Sequence, residues 1–244
     1  METWINAQNV NQFAYVNDAI CARPVRGIML HFMGLNGNLL YMNEHPDAGV
    51  KWAERGIVYI MPYLNPWNWM NDQAVQMTDD IVAAVLAKIG AEKLPIVSTG
   101  GSMGGLCALV YTRYSRHGVA ACVANCPVCD LPYHYTERPD LPRTLYSAYG
   151  GSMVNGDLMP ALEAHSPLHL ARKGDMPRVP YTIFHCEQDR SVNKQRHSDE
   201  LVPLLQKCSQ NVSYHAVPDK GHCDLTPDMW EKFDQAVLSA VCAE

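Results

Sequence analysis

Apolar positions recur along this chain with two periods that take turns. Apolar runs bounded by turn residues at 13–16, 27–32, 56–61, 95–99, 119–123, 179–185 and 211–217 read as strands. The run 56–61 is nearly continuous, as expected for a strand covered on both faces. Between them the spacing lengthens to that of a helix. Ile81, Val82, Val85, Leu86 and Ile89 form one apolar stripe that Gly90 ends. Met229, Trp230, Phe233, Val237 and Val241 form another, behind the start signal Thr226-Pro227-Asp228. Leu201, Leu204 and Leu205 mark a third, the run from Gly105 to about His117 a fourth, and 44–55 carries a fainter periodicity. Strands alternating with helices predict an α/β fold with a mostly parallel sheet of about seven strands, in one domain spanning 1–244.

The rhythm breaks at 130–178. Pro132, Pro139, Pro142, Pro160, Pro167 and Pro177 separate short amphipathic pieces that carry Tyr133, His134, Tyr135, Tyr146 and Tyr149. A helical cap inserted between two strands has this composition, and so does an irregular surface excursion. Excursions of this length inside a compact domain usually serve a function. Two further loops stand out: the glycine-punctuated stretch from Met33 to Asn38, and the aromatic one from Pro62 to Asn71.

Charge narrows the partners. The net charge is −6 and no block of Lys or Arg occurs, so neither nucleic acid nor an anionic membrane surface is an expected partner. No apolar run has the length of a membrane span, and the N-terminal residues do not read as a secretory signal. The nine cysteines, mostly in apolar contexts, fit free thiols in a reducing compartment, which points to the cytoplasm. Cys126-Pro127-Val128-Cys129 matches C-x-x-C, but no second pair accompanies it and it follows a strand without opening a helix.

The chemistry centres on Gly100-Gly101-Ser102-Met103-Gly104-Gly105. A strand, a glycine-crowded turn with a serine at its apex and a helical pattern make the G-x-S-x-G nucleophile elbow. A phosphate loop is the other reading of such a turn, but no Lys follows the glycines. A serine hydroxyl needs a base, and an imidazole needs a carboxylate to hold its tautomer. His222 and Asp189 each follow a strand, in the chain order Ser, Asp, His of α/β-hydrolases. Taken singly, Asp189 also fits a helix cap and His222 a solvated loop residue. Asp130, past the preceding strand, is the alternative acid. His185 and His215 lie within strands and read as core or sheet-face histidines.

The segment 100–105 resembles the G-G-S-x-G-G of the prolyl-oligopeptidase-type branch of α/β-hydrolases. Ser166-Pro167-Leu168, the run from Asp189 to Gly221-His222, and the Asp79-Asp80 pair opening the helix before the elbow are similar too. The resemblance covers about 27–240 and implies the fold, the triad and acyl transfer to water. By the same match, the backbone N–H groups of Met33 and Met103 form the oxyanion hole, although this chain has His31-Phe32-Met33-Gly34 where many relatives carry His-Gly-Gly. No propeller precedes the domain, so size-gated oligopeptide cleavage is not expected. The expected activity is a serine carboxylesterase acting on small-molecule acyl substrates without metal or organic cofactor; a peptidase or amidase and an acyltransferase are the alternatives. Tyr63, Trp67, Trp69 and Met70 are candidate substrate walls, a role that competes with plain packing.

Overall fold

The structure, a computed structural model, describes residues 4–37 and 45–242. Asn38, and the first residue of the helix expected at 44–55, lie outside the described residues. Seven strands form one sheet: β1 (Ala14–Val16), β2 (Gly27–Phe32), β3 (Ile57–Pro62), β4 (Ile96–Gly101), β5 (Ala121–Asn125), β6 (Tyr181–Cys186) and β7 (Val212–Val217), in the order β1-β3-β2-β4-β5-β6-β7. Only β1 runs antiparallel, against β3; the other pairings are parallel. The expected α/β sheet of about seven strands is present.

Side chains alternate across the sheet with period two. Ile28, Leu30 and Phe32 of β2 enter the larger apolar cluster, while Met29 enters the smaller one. The smaller cluster is covered by α1 (Asp47–Ala53), through Trp52, and α9 (Pro227–Val241), through Phe233, Val237 and Val241. The larger is covered by α2 (Asp72–Ile89), α3 (Met103–Tyr114), four short helices between β5 and β6, and α8 (Ser198–Cys208). No described helix is long and apolar enough to cross a membrane.

The helix before the elbow starts earlier than its apolar stripe indicates. Asn71 caps it, its side chain accepting the Ala74 N–H at 3.0 Å, so Asp79 and Asp80 lie mid-helix and do not open it. They tie α2 to the end of α3: the Tyr111 hydroxyl donates to Asp79 at 2.9 Å, and Arg116 pairs with Asp80 at 2.6 Å. Gly90 ends α2 at φ 70°, the left-handed conformation that glycine adopts without strain.

The segment between β5 and β6 folds as α4 (Leu131–Glu137), α5 (Leu141–Tyr149), α6 (Met159–Ala164) and α7 (Pro167–Arg172), each with a proline in its first turn, where a missing N–H costs nothing. Leu141, Leu145, Tyr149 and Leu162 face the large cluster and pack beside Trp69 and Met70.

Candidate active site

Ser102 sits between β4 and α3 at φ 59° and ψ −124°, a conformation that costs an L-residue free energy and persists only where its surroundings enforce it. The enforcement is visible. Ser102 N–H donates to Asn125 O at 2.9 Å, and Ser102 O accepts from Gly105 N–H at 3.0 Å. A Cβ at Gly100 would collide with the Gly104 carbonyl, one at Gly104 with the Phe32 carbonyl, and one at Gly105 would lie 2.9 Å from Pro127 Cα. The glycines let β2, β4 and α3 converge under the serine.

Asp189 follows β6 in a turn that its own side chain closes. Oδ1 accepts the N–H groups of Ser191 at 2.8 Å and Val192 at 3.0 Å. Oδ2 accepts from His222 Nδ1 at 2.6 Å, so in the neutral ring the proton resides on Nδ1 and Nε2 carries the lone pair. Burial opposes ionisation of Asp189, but the donors from His185, His222 and Val192 outweigh it and hold the carboxyl well below its usual range. Burial likewise disfavours a charged His222; the Asp189 carboxylate and, after it, Cys126 more than offset this and raise the ring from 6.5 to about 9.

Ser102 and His222 line the same cavity, of about 720 Å³. Its walls are Met29, Trp52, Tyr59, Trp230 and Phe233, on the α1/α9 side of the sheet. Met33 and Gly34 line it too, and a Cβ on Gly34 would lie 3.8 Å from Ser102 Cβ, which places that loop against the elbow. Met103 opens α3, where the first backbone N–H groups have no partner within the helix. Both positions assigned to an oxyanion hole thus flank Ser102.

The aromatic loop is elsewhere. Trp69 and Met70 are buried at 1% and 0% exposure, turned inward by left-handed backbone at φ 45° and 53°. Trp69 Nε1–H donates to Thr144 at 3.0 Å, and the Tyr149 hydroxyl to Trp69 O at 2.5 Å. Trp67 lines a separate cleft beside Asn71, and Tyr63 is exposed. None of the four lines the cavity that holds Ser102, which corrects their expected place as its walls. From the insertion, Arg138 alone among the described residues lines that cavity.

Asp130, the alternative acid, caps α4 by accepting Tyr133 N–H at 3.1 Å and faces His169 and Arg196. Sequence reasoning did not select Cys223, whose Sγ lies 3.7 Å from His222 Nε2, nor His31, which lines the cavity floor. Adjacency to His222 was the only signal for the first. All nine cysteines are free thiols.

Three groups of side chains stand close enough to share a cation: Cys126 with His222 and Cys223, Cys126 with His185 and Asp189, and His134 with Glu137 and His197. In the third, His197 Nδ1 accepts the N–H groups of Cys129 and Asp130 at 3.0 and 3.1 Å, so its proton lies on Nε2, directed at Glu137 2.9 Å away. A neutral imidazole in that tautomer has no Nε2 lone pair for a metal. The trio is a hydrogen-bonded tie between α4 and the start of α8. In the first group His222 gives Nδ1 to Asp189 and turns Nε2 toward Cys223 Sγ at 3.7 Å; in the second the His222 bond already occupies Asp189 Oδ2.

No curated protein matches the chain. Solved structures of similar fold include a puromycin hydrolase (18% identity, TM-score 0.65, covering 90% of this chain and 34% of the other). The dipeptidyl peptidase 4 of Porphyromonas gingivalis is also similar (14%, 0.64, 90% and 32%), as is an S-formylglutathione hydrolase from Agrobacterium tumefaciens (14%, 0.63, 88% and 83%). The chain thus spans about a third of the length of the first two. The model of the prolyl oligopeptidase family matches residues 68–238, a stretch that includes the serine elbow, the Asp189 turn and the His222 loop, and the chain belongs to that family of α/β-hydrolase-fold hydrolases.

Proposed function

We propose that the protein is a serine carboxylesterase for small-molecule esters. One observation carries the reading. The Asp189–His222 bond of 2.6 Å fixes the proton on Nδ1, so that Nε2 is the atom that acts as base once the ring is neutral, and His222 lines one cavity with Ser102 at its strained elbow. In this reaction Ser102 Oγ attacks the ester carbonyl as its proton passes to His222 Nε2. The backbone N–H groups of Met33 and Met103 stabilise the tetrahedral oxyanion. His222 then gives its proton to the departing alcohol, and a water molecule repeats the sequence on the acyl-enzyme, releasing the acid and restoring Ser102. Removing one donor of such a hole typically costs about 3 kcal/mol in the barrier. These residues require no metal or organic cofactor for the reaction.

The ester preference is supported by the mostly apolar cavity, in which Lys51 and Asp234 neutralise each other at 2.5 Å. It is also supported by the S-formylglutathione hydrolase, which the chain matches over most of both lengths. Membership of a family named for oligopeptide cleavage favours a second reading, amide hydrolysis at the same serine. Nine free thiols fit a reducing compartment, the cytoplasm.

Hydrolysis of p-nitrophenyl acetate, butyrate and octanoate, beside an aminoacyl anilide, tests the reading in wild type and Ser102→Ala. Ester turnover lost in the variant is the expected result. Faster anilide cleavage would replace the esterase reading by the amidase one, and equal rates in both proteins would remove Ser102 as nucleophile.

A further inference from the structure

His31 belongs to β2, two residues from Met29 and therefore on the same face of the sheet. Its ring stacks on Tyr59, with centroids 5.9 Å apart. Nδ1 lies 3.1 Å from Thr99 Oγ1, and that hydroxyl spends its own proton on Leu30 O at 2.9 Å. Thr99 therefore accepts, Nδ1 carries the ring proton, and Nε2 presents a lone pair. No described residue donates to Nε2. Nor is the atom sealed in protein, since Asn125 Oδ1 is the only buried side-chain polar atom without a partner among the described residues. His31 lines the cavity, and Nε2 is the ring nitrogen left without a partner there among the described residues.

The walls define what accompanies this acceptor. Trp52, Tyr59 and Phe233 contribute flat aromatic rings to the lining. The ionic groups at the rim are already paired, Lys51 with Asp234 and Arg138 with Asp140. Among the described lining residues a charged substituent finds no unpaired Lys, Arg, Asp or Glu, whereas a neutral donor finds Nε2.

We propose that His31 is a specificity-determining residue that accepts a hydrogen bond from a hydroxyl on a flat apolar group, so that the substrates are esters bearing a hydroxyaryl moiety. This deepens the esterase reading and rests on it for the reaction, though not for the binding. Burial pushes the His31 ring down to about 4, so the acceptor persists at neutral pH. A methyl ether in place of the hydroxyl keeps the flat group but has no proton to give.

The test uses methyl 3-(4-hydroxyphenyl)propanoate, its 3-hydroxy isomer and the 4-methoxy analogue, compared as ratios of kcat/KM within each protein. One net hydrogen bond corresponds to roughly a three- to tenfold preference for the better hydroxy isomer. That ratio is expected in wild type, is expected to fall to about one in His31→Phe, and to persist in His31→Gln, whose amide oxygen accepts. If His31→Phe does not fold, Thr99→Val removes the acceptor that pins the Nδ1 proton, and the preference shrinks as the flipped ring presents N–H. A ratio near one in wild type, or one unchanged in His31→Phe, overturns the proposal. Calorimetric binding of 4-ethylphenol against 4-ethylanisole separates this from the reaction. If no ester is turned over, the esterase reading fails, and the same Kd ratio in wild type and its loss in His31→Phe still decide for or against His31.

Discussion

His185 Nε2 lies 3.4 Å from Asp189 Oδ2, the oxygen that also receives the His222 proton at 2.6 Å. The strand histidine is not a second base. Its Nε2–H is shared between Asp189 Oδ2 and Val192 O, the latter at 3.1 Å, its Nδ1 accepts from the Ser198 hydroxyl at 2.7 Å, and it is fully buried. It joins the end of β6, the Asp189 turn and the start of α8 into one unit. His185→Leu leaves the Ser198 hydroxyl and Val192 carbonyl without that partner, at a cost of about 1–3 kcal/mol. Urea unfolding should show that loss, and kcat should fall with KM little changed, because Asp189 loses its support while the residues that line the cavity stay in place. Wild-type stability together with wild-type kcat would mean that the Asp189 turn stands without His185.

The glycines of the elbow make a sharper case. A Cβ on Gly104 would collide with Phe32 O and lie 2.9 Å from Met33 O, pushing away the loop assigned to the oxyanion hole. Gly104→Ala should destabilise by about 1–3 kcal/mol. Its kcat should fall by more than stability explains, since a shift of about 1 Å at the reacting centre costs on the order of 100-fold. Gly150 is the control. It has φ −57° and nothing within 4 Å of an added Cβ, so Gly150→Ala should be neutral or stabilise by up to about 1 kcal/mol. Thermal melts and p-nitrophenyl acetate rates of the two variants check both statements.

The sheet and the strand-end placement of Ser102, Asp189 and His222 were legible because each depends on a local pattern: an apolar run, a turn, one polar residue. The cavity was not. Its walls come from β2, α1, β3 and α9, and nothing in the order of Met29, Trp52, Tyr59 and Phe233 brings them together until the sheet has formed. Local density misled in the opposite sense at Trp67, Trp69 and Met70. An aromatic loop near the sheet edge looked like a wall, but left-handed backbone at Trp69 and Met70 turns both side chains into the core. Trp230 shows the limit of periodicity: it shares the apolar stripe of α9, yet it is 44% exposed and stands at the cavity. The start of α2 was signalled by Asn71-Asp72, a cap and an acidic first turn, before any apolar stripe.

Cys223 makes the cavity chemically addressable. It is half-buried, lines the cavity, and holds Sγ 3.7 Å from His222 Nε2, so a group attached there would occupy the space between base and substrate. Iodoacetamide should inactivate the wild type, and a bound competitive ligand should slow that loss. Cys223→Ala should keep its own untreated rate after the same exposure. Exposed Cys242, paired with Arg26 far along the chain, serves as the internal comparison: mass spectrometry should find it alkylated in both proteins. Equal inactivation of wild type and variant would place the sensitive thiol elsewhere.

The pH profile tests the pairing of His222 with Asp189. The base works only when neutral. Burial lowers the ring's pKa, but the Asp189 carboxylate, with a further contribution from Cys126, outweighs it and raises the ring from 6.5 to about 9, so the protonated, inactive form persists to higher pH than in a free imidazole. With a neutral ester, kcat/KM should therefore climb with pH and reach half its plateau between about 6.5 and 9. His31, held down at about 4, contributes nothing in that window. Asp189→Asn removes the negative charge while leaving a side chain of the same shape. Its midpoint should move down toward the ordinary imidazole value, and its plateau should fall by roughly 10⁴-fold, because an amide no longer fixes the tautomer or stabilises the cation. A wild-type midpoint at or below 6.5, or one that Asp189→Asn leaves in place, would mean that a group other than the Asp189-bound imidazole takes the proton from Ser102.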